Sequence, residues 1–173
     1  MKKTLVINLF GGPGSGKSTL CALVFGKLKM MGVNCEMATE YVKDIVWEES
    51  FKKMENQIYI FGKQHSRVNR LLGKVDIIIT DSPLLNSVVY DISKNPYLKD
   101  LVIYEFKNLN TLNFYVKRKF DYRPDGRVQD LDQAREVDIE YLNLIKENNI
   151  QFYDIESGDV DKVINTLQNN NMI

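Results

Sequence analysis

Residues 11–18 read Gly11-Gly12-Pro13-Gly14-Ser15-Gly16-Lys17-Ser18, a complete match to the pattern G-x-x-x-x-G-K-S/T. The pattern constrains the fold because it is meaningful only as a turn between a buried strand and a helix. Both flanks comply. Leu5 to Phe10 is an apolar, partly β-branched run that reads as a strand, and Thr19 to Leu28 continues as a helix. Glycines let successive backbone N–H groups turn inward as an anion nest at a helix N-terminus. The lysine then reaches the β- and γ-phosphates of a nucleoside triphosphate, and the following hydroxyl ligates Mg²⁺. Gly12, Gly14, Ser15, Gly16, Lys17, Ser18 and Thr19 are therefore expected to cradle the phosphates of ATP, with Ser18 on the metal.

The chain has 173 residues, enough for one domain that buries roughly 70% of its unfolded surface. Lys plus Arg and Asp plus Glu number 23 each, so no global field draws the chain to nucleic acid or to an anionic membrane. No apolar stretch approaches a membrane span, and Met1-Lys2-Lys3 runs into a strand rather than a cleavable signal. Cys21 and Cys35 lack metal spacing and read as reduced core thiols, which points to the cytoplasm.

Five strands are expected near residues 5–10, 33–38, 75–80, 111–116 and 150–155, with helical segments between them. The longest central helix is expected over Met54 to Leu72, its apolar face at Ile58, Phe61, His65, Val68 and Leu72. Further helices are expected over Pro83 to Tyr90, Tyr97 to Lys107, Leu131 to Glu147 and Asp159 to Gln168. Alternating strands and helices predict an α/β three-layer sandwich built on a parallel, doubly wound sheet. Ligands bind outside the carboxyl ends of such strands. The phosphate loop, Glu40, Asp81 and the segment 117–127 all follow strands, so they should share one cleft.

Each of these positions has a chemical reading and a plainer one. Asp81 suits the metal's water shell opposite Ser18; alternatively Asp81-Ser82-Pro83 caps the next helix. Glu40 suits a base that orients an acceptor hydroxyl; alternatively it is a solvated loop residue. Segment 117–127 holds five basic residues against two acidic ones around a Pro124-Asp125-Gly126 turn. It reads as a lid of about residues 117–129 whose Arg123 and Arg127 neutralise the transferring group, or as a solvated charged face. Gln57, Gln64 and Arg67 lie on one long helix with Tyr59 and Phe61, where amides and rings suit an acceptor's base. The lone His65 reads as a packed or surface residue.

This order and content resemble the phosphate-loop kinases that act on nucleosides and nucleotides: deoxynucleoside kinases, thymidylate kinases and nicotinamide-riboside kinase-like proteins. The resemblance runs from Lys3 to about Leu167 and implies a sheet order of 2-3-1-4-5. It also implies that Glu40 is the base, that Gln57 reads the nucleobase, and that the lid arginines precede Tyr141-Leu142-Asn143-Leu144-Ile145. Where that family commonly has an arginine after its strand-three acid, this chain has Asp81-Ser82-Pro83.

The expected activity is transfer of the γ-phosphoryl of Mg-ATP to a nucleoside or nucleoside monophosphate, a small-molecule acceptor. Two other readings stay open at this stage: a kinase acting on a polynucleotide end or a modified base in DNA, and a nucleotide-dependent ATPase or switch. The sequence leaves the oligomeric state open, a homodimer included.

Overall fold

The structure, a computed structural model, describes residues 3–118 and 130–173. In chain order its first half forms β1 (Leu5–Phe10), α1 (Lys17–Met30), β2 (Cys35–Ala38), α2 (Tyr41–Trp47), α3 (Gln57–Asn69) and β3 (Ile77–Thr80). The second half forms α4 (Asn86–Val89), α5 (Pro96–Asn108), β4 (Asn110–Lys117), α6 (Leu131–Glu147), β5 (Tyr153–Glu156) and α7 (Val160–Asn169).

All neighbouring strands run parallel, in the order β2-β3-β1-β4-β5. The order is the one the resemblance implied. β1 is buried along its whole length because it lies at the sheet's centre. The two-residue period of a strand divides its side chains between two cores. Leu5, Ile7 and Leu9 meet Leu20, Val24 and Leu28 of α1 and Val163 and Leu167 of α7. On the other face Val6 packs with Val68 and Ile78, and Phe10 packs with Val102, Phe106 and Tyr141. Both cysteines are buried and free, and burial pushes both thiols up, so neither is a reactive thiolate.

Differences from the sequence expectation cluster where polar chemistry overrides pattern. Residues 51–55 form a separate 3-10 turn, and the Asn56 side chain accepts from Tyr59 N–H to start α3 afresh. The buried face of α3 is therefore Gln57, Ile60, Phe61, Gln64 and Val68, whereas Ile58 is exposed. The expected helix from Pro83 shrinks to the four residues of α4. Asn95-Pro96 starts α5 rather than merely breaking a helix: Asn95 caps it and the proline occupies the first turn. Residues 119–129 are outside the described residues, and with them the expected lid apart from Lys117 and Arg118.

Adjacent central strands are also joined by a polar link. Asn8 of β1 faces Asn113 of β4, and its amide donates to the Asn113 carbonyl oxygen at 2.9 Å inside the core. The Asn113 amide donates in turn to Gln151 O at 3.0 Å. Asn113→Ala leaves the buried Asn8 amide without this partner and removes the bond to Gln151 O. The expected loss is about 1–3 kcal/mol, read as a lower urea midpoint with an unchanged slope.

Candidate active site

The loop between β1 and α1 takes its shape from backbone conformations that side chains resist. Gly14 and Gly16 have φ of 78° and 88°, in the left-handed region that glycine adopts freely. Gly16 is the residue before the first turn of α1, so the helix's unpaired N–H groups open toward the loop. Lys17 folds back over it, donating to Gly11 O at 2.7 Å and Gly12 O at 2.8 Å. Burial pushes the Lys17 ammonium down to about 8, against the pull of Glu40 and Asp81. The Ser15 hydroxyl is buried with no hydrogen-bond partner among the described residues.

An outer brace holds the loop from α6. Asp138 accepts from Gly12 N–H at 2.6 Å and from the Tyr115 hydroxyl at 3.0 Å. It also pairs with Arg118, whose guanidinium donates to Pro13 O and Ala134 O at 3.0 Å each. Sequence reasoning missed Asp138 because its partners lie on other elements, Gly12 in the phosphate loop and Tyr115 and Arg118 at the end of β4. The only signal was its place on the inward face of α6.

Two carboxylates and a hydroxyl converge beside Lys17. Asp81 follows β3 and is 5% exposed. The N-cap of α4 is Leu85, so Asp81 does not cap that helix. Asp81 Oδ2 accepts from Lys43 Nζ at 3.1 Å, while Oδ1 is buried with no hydrogen-bond partner among the described residues. The same ammonium donates to Ser18 Oγ at 2.5 Å and lies 4.0 Å from Glu40. Burial raises the Glu40 carboxyl above its ordinary value; Lys17 and Lys43 oppose this and Asp81 adds to it. A buried carboxylate and a hydroxyl that share one cation, the Lys43 ammonium, supply the oxygen chemistry that suits a hard divalent cation. Among the described residues no three His, Cys, Asp or Glu side chains converge on a metal. Its remaining ligands would have to be water and phosphate oxygens.

A cavity of about 410 Å³ runs from Gly14, Lys17 and Ser18 past Glu40 and Lys43 to a wall of Val46, Trp47, Met54, Gln57 and Ile60. The size suits a small molecule of nucleoside dimensions. Gln57 lines this wall and donates to Met54 O at 2.9 Å. Gln64 also borders the cavity, but both ends of its amide are engaged by backbone: it accepts from Tyr41 N–H at 3.0 Å and donates to Thr39 O at 3.3 Å. It therefore clamps the chain on either side of Glu40. Arg67 is not in the cavity wall. Its guanidinium donates to Thr39 O at 3.1 Å, pairs with Asp44 and covers the Tyr41 ring, which places it behind the strand end. His65 lies 3.3 Å from Glu105, outside the cavity. Asn86, which sequence reasoning did not single out, borders the cavity with its amide fixed by Ser82 Oγ at 3.1 Å and by the Tyr141 hydroxyl. Arg123 and Arg127 lie outside the described residues.

Residues 6–162 match the AAA domain family. The chain belongs to this family. The AAA domain is also 25% identical over 185 residues to a uridine kinase of Clostridium botulinum (strain Okra / Type B1), covering 95% of this chain and 89% of the relative. The crystal structure of NadR protein in complex with NR is similar in fold, with a TM-score of 0.66 at 16% identity. That likeness covers 88% of this chain but only 43% of the solved chain, so the AAA domain spans less than half of that protein. The kinship with phosphate-loop nucleoside kinases expected from the loop and strand ends is borne out.

Because Asp138 gathers one loop amide, one phenol and one guanidinium, Asp138→Ala strands three donors at once. The AAA domain should lose about 1–3 kcal/mol of stability, read by urea unfolding.

Proposed function

We propose that this protein transfers the γ-phosphoryl group of Mg-ATP to a hydroxyl of a nucleoside or nucleoside monophosphate. The observation that carries the reading is the continuity of one cavity from the phosphate loop, past Glu40, to an apolar and amide-bearing wall. A nucleotide switch needs the first of these features but not an acceptor chamber beyond it.

Lys17 leaves the loop carbonyls for the β- and γ-phosphates, and the N–H groups from Gly14 to Thr19 surround the phosphate oxygens. Ser18 and Asp81 would hold the Mg²⁺. When bound, the metal neutralises charge that develops between the β- and γ-phosphates. Glu40 accepts the proton of the acceptor hydroxyl as that oxygen bonds to the γ-phosphorus. The bond from phosphorus to the β,γ-bridging oxygen breaks, its electron pair stays with ADP, and Glu40 carries the proton away. Gln64 and Arg67 act on this step through the backbone beside Glu40, which makes them positioning residues. Gln57 and Trp47 contribute to the acceptor wall. Arg123 and Arg127 are proposed on sequence grounds to neutralise the transferred group.

The test is a panel of nucleosides and nucleoside monophosphates followed by phosphorus NMR. ADP and a phosphorylated acceptor should appear in equal amounts. Hydrolysis at the same rate without any acceptor would refute the reading.

Two outcomes should follow from Glu40. Glu40→Gln should lower kcat by about 10²–10⁴-fold while nucleotide affinity changes little by calorimetry. In the parent, kcat should fall on the acid side with a midpoint above the ordinary glutamate value of 4.5, because burial favours the protonated carboxyl. Lys17 and Lys43 moderate that shift and Asp81 reinforces it. The base works only when deprotonated, so activity is lost as pH drops through the raised value. Glu40→Gln should abolish this acid limb.

A further inference from the structure

We propose that Lys43 is a built-in competitor for the metal position, so that the site refuses bare divalent ions and accepts a metal only with nucleotide. The inference rests on the reading that Ser18 and Asp81 hold the metal.

Lys43 is in the first turn of α2, three residues after Glu40, and it borders the cavity. Its ammonium sits between the two groups that would hold the ion, 2.5 Å from Ser18 Oγ and 3.1 Å from Asp81 Oδ2. Glu40 lies 4.0 Å away on a third side. A divalent ion bound to the same oxygens would have to share their space and bear the repulsion of a fixed positive charge. Ammonium and metal are therefore mutually exclusive.

The balance between them is set by what else each can gain. A bare ion gains one hydroxyl and the buried Asp81 carboxylate, because no third His, Cys, Asp or Glu side chain converges there among the described residues. That small donor set must also displace an ion pair already made. A metal carried by a triphosphate brings phosphate oxygens as ligands, while the loop and Lys17 hold the phosphates independently. The nucleotide thus supplies the surplus that evicts Lys43. The displaced side chain has a flexible four-carbon stem and is half-exposed, so it can leave without unfolding α2. Once Lys43 leaves, Ser18 Oγ and Asp81 Oδ2 are freed for the incoming ion's shell.

The test is Mn²⁺ binding followed by electron paramagnetic resonance of the free ion, on nucleotide-free protein and again with a non-hydrolysable ATP analogue. The parent should bind Mn²⁺ weakly alone and tightly with the analogue. Lys43→Met removes the charge and keeps the stem, and should bind bare Mn²⁺ at least about tenfold tighter than the parent. Lys43→Arg keeps the charge and should remain weak. Adding Ser18→Ala to Lys43→Met should reverse the gain, which assigns the ion to this site. Equal affinity of parent and Lys43→Met for bare Mn²⁺, with both melting at the same temperature, would overturn the proposal. So would a gain that survives Ser18→Ala. No acceptor takes part in these measurements, so they are decided separately from the kinase reading, which falls if the acceptor panel yields no phosphorylated product.

Discussion

The structure turns on keeping a short stretch of backbone in a conformation that a relaxed chain would avoid. Gly14 and Gly16 supply the left-handed dihedrals, but glycine lowers the barrier to that shape without enforcing it. Enforcement comes from two sides. Lys17 closes over the loop from within through Gly11 O and Gly12 O. Asp138 and Arg118 brace it from outside through Gly12 N–H and Pro13 O. A cradle fixed before its ligand arrives loses little entropy on binding, which is the physical advantage of preorganisation.

The sheet then decides what stands around the cradle. Parallel strands bring their carboxyl ends to one edge, so Gly11, Glu40 and Asp81 meet although they are far apart in sequence. Gln64 refines this placement by holding Thr39 O and Tyr41 N–H on either side of Glu40. Burial beside Lys17 then makes Glu40 a more basic carboxylate. Backbone topology sets position, a buried amide fixes orientation, and desolvation tunes proton affinity.

The parts legible in sequence were those written in local pattern. The loop motif, the apolar run before it and the alternation of strands with helices were enough for the fold, and the family resemblance supplied the strand order. The helix expected from Leu131 to Glu147 has those bounds, and Asp130 and Gln133 fix its start with a reciprocal cap. What escaped depends on side-chain contacts that override the apolar pattern, several of them between distant residues. Asn56 restarts a helix that the apolar period ran straight through, since a side-chain cap outcompetes a continuous pattern. Gln64 and Arg67 were expected beside an acceptor because amides and charged groups on a cleft-side helix suit its base. Only packing reveals that they serve the backbone of the neighbouring strand end. Lys43 carried no pattern at all, Asp138 only its place on the inward face of α6, and Arg118 only its membership of a basic run, for a lone charge acquires meaning from its partners.

The central claim is that a ring of loop amides and one lysine grip a triphosphate. Calorimetric titration of Lys17→Ala with Mg²⁺ and a non-hydrolysable ATP analogue tests it most directly, with circular dichroism confirming the fold. The account predicts binding at least about 100-fold weaker than the parent, because a charge-assisted contact to the phosphates is lost. Undiminished affinity in a folded variant would contradict it.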